Sequence, residues 1–217
     1  SITCGYGVDD PDKEHHFKTA TEDVTKAYAY KTALALNADY SMVSVSGYGI
    51  ISGFTNDGNK IPQQTIPQYY DKLGFSYNKF ADSITVSEIE WDFERYKPDI
   101  IVINLGTNDM NYAATDEKKA EFEDGYLDFL KKVRSLNPDS YIFQTYGVMG
   151  TSLEENIENV RRKYMSETGD ERITFIPLTM QDEDADGIVA DWHPSPRTHS
   201  LVSQKVTAAI KETLGYK

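Results

Sequence analysis

What the chain has little of narrows it first. One cysteine, Cys4, stands in 217 residues, so no disulfide closes within the chain and no zinc site of clustered thiolates can form. The four histidines, His15, His16, His193 and His199, make no His-Glu-x-x-His word, and nothing in the sequence calls for a metal or an organic cofactor. Basic residues are scarce: 22 Lys and Arg against 35 Asp and Glu leave a formal charge of -13, with no basic block. Nucleic acid and anionic membranes repel such a surface and are excluded as partners, while a neutral substrate is not penalised. No apolar run has the length of a membrane helix. Internal repeats, low-complexity linkers and a signal peptide are also missing.

What is present reads as one globular α/β domain. Hydrophobic residues make up 39% of the chain, with 15 Tyr, 9 Phe and 2 Trp, enough for a sizeable core. Short apolar runs alternate with amphipathic stretches. Strands are expected at Tyr40 to Ser46, Asp99 to Leu105, Tyr141 to Thr145 and Ile173 to Leu178. The second is a nearly continuous apolar run, as suits a central strand covered on both faces. Helices are expected at Glu22 to Leu36, Ser87 to Tyr96, Glu117 to Leu136, Leu153 to Thr168 and Thr198 to Leu214. Phe122, Tyr126, Phe129, Leu130 and Val133 share one face of the third. The architecture this implies is a three-layer α/β/α sandwich with a central parallel sheet, of flavodoxin-like type. Ser52 to Asn78 is a long irregular segment, suited to forming one wall of a substrate cleft.

In open α/β sheets ligands bind beyond the carboxyl ends of the strands, and three motifs fall there. Gly106-Thr107-Asn108-Asp109 follows the second strand, and the Asn108 amide could donate to an oxyanion or simply cap the next helix. Ser46-Gly47-Tyr48-Gly49 follows the first, where Gly47 offers either a free N–H or an ordinary turn. Asp191-Trp192-His193-Pro194-Ser195 precedes the last helix; His193 is suited to be a general base with Asp191 near enough to orient it, or to be a surface cap. A nucleophile is supplied by Ser1 in Ser1-Ile2-Thr3-Cys4-Gly5-Tyr6-Gly7, or by Ser83 in the chance word Asp82-Ser83-Ile84-Thr85. Position favours Ser1, which lies upstream of the other motifs. His199 reads as structural. Tyr48, Tyr146 and Trp192 adjoin motifs or strand ends and are candidates either for walls of the site or for the core.

Ser1, Gly47, Asn108 and His193, in that chain order, resemble the four blocks of the SGNH (GDSL-type) hydrolase superfamily. The longer words S-I-T-C-G-Y-G-V, S-G-Y-G-I, I-N-L-G-T-N-D and D-W-H-P-S resemble carbohydrate esterase family 2. The resemblance implies a secreted or cell-surface serine esterase that takes acetyl groups from xylan or glucomannan. Ser1 would be the nucleophile, His193 the base and Asp191 its acid. The N–H groups of Ser1 and Gly47 and the Asn108 amide would form the oxyanion hole. The same machinery would also serve a lipase or lysophospholipase, or a carbohydrate-binding domain with residual esterase activity. Most of the superfamily places its acid three residues before the histidine, where this chain has Ala190; members of the closer family have it at the position of Asp191 or work with a Ser–His dyad. The Gly, the Asp and the strand that precede the serine of the G-D-S block are not in the sequence. They are expected just upstream of Ser1, and a β-sandwich domain before them, in a longer polypeptide.

Overall fold

A computed structural model describes residues 1–75, 79 and 83–216. Ser76 to Asn78 of the expected cleft wall and Asp82 of the alternative serine word lie outside the described residues. The chain divides into two units. One comprises Gly47–Thr145 and Ser152–Phe175, the other Ser1–Ser46, Tyr146–Thr151 and Ile176–Lys217.

The apolar periodicity of the sequence becomes the frame of the first of these units. Strand β1 (Ile100–Asn104) pairs in parallel with β2 (Tyr141–Tyr146), with Ile100 opposite Tyr141 and Asn104 opposite Thr145. Strand β3 (Ile173–Pro177) lies on the far side of β2, giving the order β1-β2-β3. Two helices of this unit, α2 (Asp116–Leu136) and α3 (Glu154–Thr168), pack against each other. Thr115 caps α2 by accepting the Lys118 N–H, and Asp116 and Glu117 in the first turn complement the helix dipole. Phe122, Tyr126, Phe129, Leu130 and Val133 are all buried, as is Leu127, which is worth about 1.5–3 kcal/mol for each large side chain. Gly169, left-handed at φ 69°, closes α3.

Several expectations change. The run Asp99 to Leu105 does form β1, but at an edge of the sheet rather than its centre, with Ile100 to Val102 only half-buried. No other described segment extends the sheet on that side. Tyr40 to Ser46 has no ladder partner among the described residues and is not a strand; Tyr40 and Val43 are exposed. A strand exists only where a neighbour takes its backbone groups. Ser87 to Tyr96 forms one 3-10 turn, Val86–Glu88, instead of a helix. Its backbone bonds go elsewhere: the Leu73 N–H donates to the Ile89 carbonyl and the Trp91 N–H to the Asp71 carbonyl.

In the other unit, α1 (Tyr28–Ala35) packs against α5 (Pro196–Leu214). The helix expected from Glu22 begins only at Tyr28, because Val24–Lys26 forms a separate 3-10 turn capped by Asp23 and Ala27 is extended. Ser195 caps α5, with Pro196 in its first turn. A short helix α4 (Glu183–Asp186) leads into a minimal antiparallel hairpin. Its strands are β4 (Ile188–Val189) and β5 (His193–Pro194), and Val189 pairs with His193. That hairpin carries the histidine motif.

Candidate active site

The hairpin loop is Ala190–Trp192, and two of its residues are left-handed without being glycine: Asp191 at φ 51° and Trp192 at φ 58°. Each such residue costs roughly 1–2 kcal/mol, so the loop must be held from outside. The Ala190 N–H donates to the Asp10 carbonyl and the Asp191 N–H to the His15 carbonyl, both at 3.0 Å. Gln181 Nε2 donates to the Trp192 carbonyl at 2.8 Å. The Asp191 carboxylate accepts three bonds, from the Tyr6 hydroxyl at 2.6 Å, His16 Nδ1 at 2.8 Å and the Phe17 N–H at 2.9 Å. Burial alone would raise its carboxyl, but these donors outweigh burial and hold it below the ordinary value.

His193 is 9% exposed, and its Nδ1 lies 3.2 Å from the Ala190 carbonyl. A carbonyl only accepts, so Nδ1 carries the proton and Nε2 presents a lone pair. Burial pushes the imidazole down to about 4, so it is neutral and able to accept a proton at neutral pH. The contact expected between Asp191 and His193 is not made. The left-handed loop turns the carboxylate toward Tyr6, His16 and Phe17, and a backbone carbonyl orients the ring in its place.

Ser1 sits at the head of a tight turn in which the Tyr6 N–H and Cys4 Sγ both donate to its carbonyl. Its hydroxyl makes no hydrogen bond among the described residues, so a serine–histidine bond is not formed in this structure. Such bonds often tighten only with substrate present. Gly5 and Gly7 are left-handed at φ 77° and 60°. A Cβ on Gly5 would fall 2.3 Å from the Asp23 carbonyl oxygen, and one on Gly7 2.8 Å from Ala190 Cβ. Glycine is required at both positions by conformation and by close approach.

The other unit holds the remaining motifs. Gly106, at φ 121°, turns the chain off β1 into Asn108 and Asp109. Asn108 Nδ2 donates to the Tyr48 carbonyl at 2.8 Å, which leaves its second N–H without a partner among the described residues. The Gly47 N–H likewise donates to nothing described, while its carbonyl accepts from the Phe54 N–H. Asp109 does not cap α2. It is fully buried, and its carboxylate accepts from the N–H groups of Ile50, Ile51 and Ser52 at 2.8–3.0 Å. The acidic side chain thus suspends the loop that carries Gly47. Gly49 is needed there, since a Cβ would lie 2.4 Å from Asp109 Oδ2.

Of the three aromatic candidates, Trp192 alone is exposed, at 46%. Tyr48 is buried against the rings of Tyr69 and Phe75, and Tyr146 is wholly buried at the end of β2. Both are core residues, because each lies where its chain segment enters the packed interior. His199 is structural, as expected. It is buried, burial pushes it down to about 3, and its Nδ1 accepts the Tyr28 N–H at the uncapped start of α1. Sequence reasoning missed Tyr6, His16 and the anchoring role of Asp109. The G-Y-G word and the Asp of G-T-N-D were the available signals.

One unit holds a neutral, carbonyl-oriented imidazole, and the other holds two N–H donors, of Gly47 and Asn108, without a described partner. The chain belongs to the GDSL-like lipase/acylhydrolase family, whose profile matches residues 1–201. A cellulase/esterase of Acetivibrio thermocellus is 33% identical over 225 residues, covering 100% of this chain and 25% of that protein. A family two carbohydrate esterase from Clostridium thermocellum, solved in complex with cellohexaose, superimposes with a TM-score of 0.83 at 32% identity, covering 100% of this chain and 63% of that one. An acetyl xylan esterase from the rumen bacterium Butyrivibrio proteoclasticus gives 0.88 at 27% identity, covering 100% and 62%. The chain spans between 25% and 58% of the length of the curated relatives it matches.

Proposed function

We propose that this chain is the catalytic part of a secreted serine esterase that removes O-acetyl groups from plant polysaccharides of the xylan or glucomannan type. The observation that carries the reading is His193, buried, neutral and fixed in the tautomer that leaves Nε2 as a base. Ser1 Oγ attacks the ester carbonyl carbon while its proton passes to His193 Nε2. The oxyanion takes hydrogen bonds from the Ser1 and Gly47 N–H groups and the Asn108 amide, each worth roughly 3–4 kcal/mol in such a role. His193 returns the proton to the departing sugar oxygen as the carbon–oxygen bond breaks, leaving acetyl-Ser1. Water then adds by the same route and acetate leaves.

The base works as a dyad with Ser1. Ala190 supplies the orienting acceptor, and Asp191 is not the triad acid. Exposed Trp192 is the aromatic surface for the sugar. Support for the substrate class comes from relatives named as acetyl xylan esterase and as a carbohydrate esterase with cellohexaose. A β-sandwich domain accompanies the chain in its polypeptide. Longer relatives support this, one of them a carbohydrate esterase solved with a carbohydrate binding domain. Among the described residues no helix is long and apolar enough to cross a membrane.

The test is labelling by a serine-directed fluorophosphonate, mapped by mass, with acetate release from acetylated xylan and glucomannan. Label on Ser1, and loss of about 10⁴-fold or more in Ser1→Ala and His193→Ala, are expected. Hydrolysis within tenfold of wild type in His193→Ala, or preference for long-chain acyl esters over acetate, would sink the reading.

A further inference from the structure

The Tyr6 ring lies on the imidazole of His193, centroids 3.9 Å apart and planes 23° from parallel, with Phe17 behind it at 4.6 Å. We propose that Tyr6 is a positioning residue for the base, coupling Asp191 to His193 across the hairpin loop. The inference rests on the esterase reading above and extends it to residues that no comparison assigns.

One hydrogen bond, from Nδ1 to the Ala190 carbonyl, fixes the direction of the ring but not its tilt about that bond. A stacked ring removes the tilt. Tyr6 is in turn fixed at its other end, because its hydroxyl donates to Asp191 at 2.6 Å. Burial and this bond push the phenol up, so it remains a donor across the working pH range. The backbone is built for the contact. Left-handed Gly5 and Gly7 flank Tyr6, and Gly7 lies against Ala190, the residue whose carbonyl takes the Nδ1 proton. Asp191 thus acts on the base, two residues further along, through the neutral phenol of Tyr6 rather than by touching it. The aromatic face also favours a cation, and the imidazolium forms only as Ser1 is deprotonated, so the contact strengthens in the transition state. The charged or titratable groups acting on the imidazole are Asp191 and His199.

The experiment is a double-mutant cycle in the full-length polypeptide, with kcat and KM measured for an aryl acetate. Tyr6→Phe, which keeps the ring and frees it from Asp191, is expected to lower kcat about fivefold with KM within twofold. Tyr6→Leu should lower kcat about fiftyfold, so that Phe restores roughly tenfold over Leu. Asp191→Ala should lower kcat about tenfold, and the Tyr6→Phe, Asp191→Ala double variant should be no worse than Asp191→Ala alone. A Tyr6→Phe enzyme within twofold of wild type, or a double variant at the product of the two losses, overturns the proposal. Both results stand even if Tyr6→Leu does not fold. Ser1→Ala and His193→Ala run alongside: if they retain activity the esterase reading has failed, and if they are dead while Tyr6 variants match wild type only this proposal has.

Discussion

Replacing Asp109 by alanine should cost about 3–4 kcal/mol of folding stability, while asparagine at the same place should cost about 1–2. The arithmetic follows from the three N–H groups the carboxylate serves. Those of Ile50 and Ser52 are buried and that of Ile51 partly so. Alanine strips all three of their acceptor, and each buried unsatisfied group costs roughly 1–3 kcal/mol, reduced where water can enter the vacated space. Asparagine retains Oδ1, which alone lies within 3.0 Å of all three donors, and gives up the charge and the second contact to Ile50. The pH dependence separates the two effects. Burial pushes Asp109 up to about 6, so between about 4 and 6 the folded state holds the proton more tightly than the unfolded chain. Stability therefore falls as pH rises through that window and is level above it, while the three hydrogen bonds remain, a slope that Asp109→Asn should abolish. Urea unfolding from pH 4 to 8 reads both. A cost below 1 kcal/mol for alanine, or an equal cost for the two substitutions, would refute the claim that this side chain suspends the Gly47 loop.

Two further outcomes are accessible to simple assays. His199 is pushed down to about 3 by burial, whereas an unfolded histidine titrates near 6.5, so its contribution is intact above about 6.5 and lost as pH falls toward 3. His199→Asn should flatten the acid side of a plot of Tm against pH, and an unchanged acid limb would contradict the buried neutral imidazole. Trp192→Ala should lower kcat/KM on acetylated xylan at least fivefold more than on an aryl acetate, and equal losses on both would remove Trp192 from the sugar surface.

Elements whose partners lie close in sequence were legible, and those whose hydrogen bonds go to distant segments were not. The helix α2 carries its own cap, its own apolar stripe and its own stop at Asn137-Pro138, so its limits moved by one residue. Ser87 to Tyr96 has helical spacing, yet its own backbone bonds, at Ile89 and Trp91, run to Leu73 and Asp71. The first N–H of α1 is satisfied by His199, 171 residues further along, and no local word announces that start. Strand β1 was recognisable as apolar and extended. Its place in the sheet was not, because order depends on which segments pair, and Tyr40 to Ser46 has strand-forming residues without a partner.

The same distinction governs the site. Spacing two residues before His193 puts Asp191 on the histidine's side of an extended strand, which is why it reads as an orienting acid. That spacing loses its meaning once residues 191 and 192 are left-handed, and what makes them so is a set of contacts from Tyr6, His15, His16 and Phe17 at the other end of the chain. Ala190 stands where most of the superfamily has its acid, and its carbonyl does the orienting instead, taking both the backbone N–H and Nδ1 of His193. A carbonyl fixes the tautomer as well as a carboxylate does, but it offers a dipole rather than a charge to the imidazolium. The ring therefore stays neutral to lower pH, and the proposed mechanism requires that the charge formed during acyl transfer be met by something else in the site. On that proposal the face of Tyr6, stacked on the ring and held by Asp191, is the group that meets it.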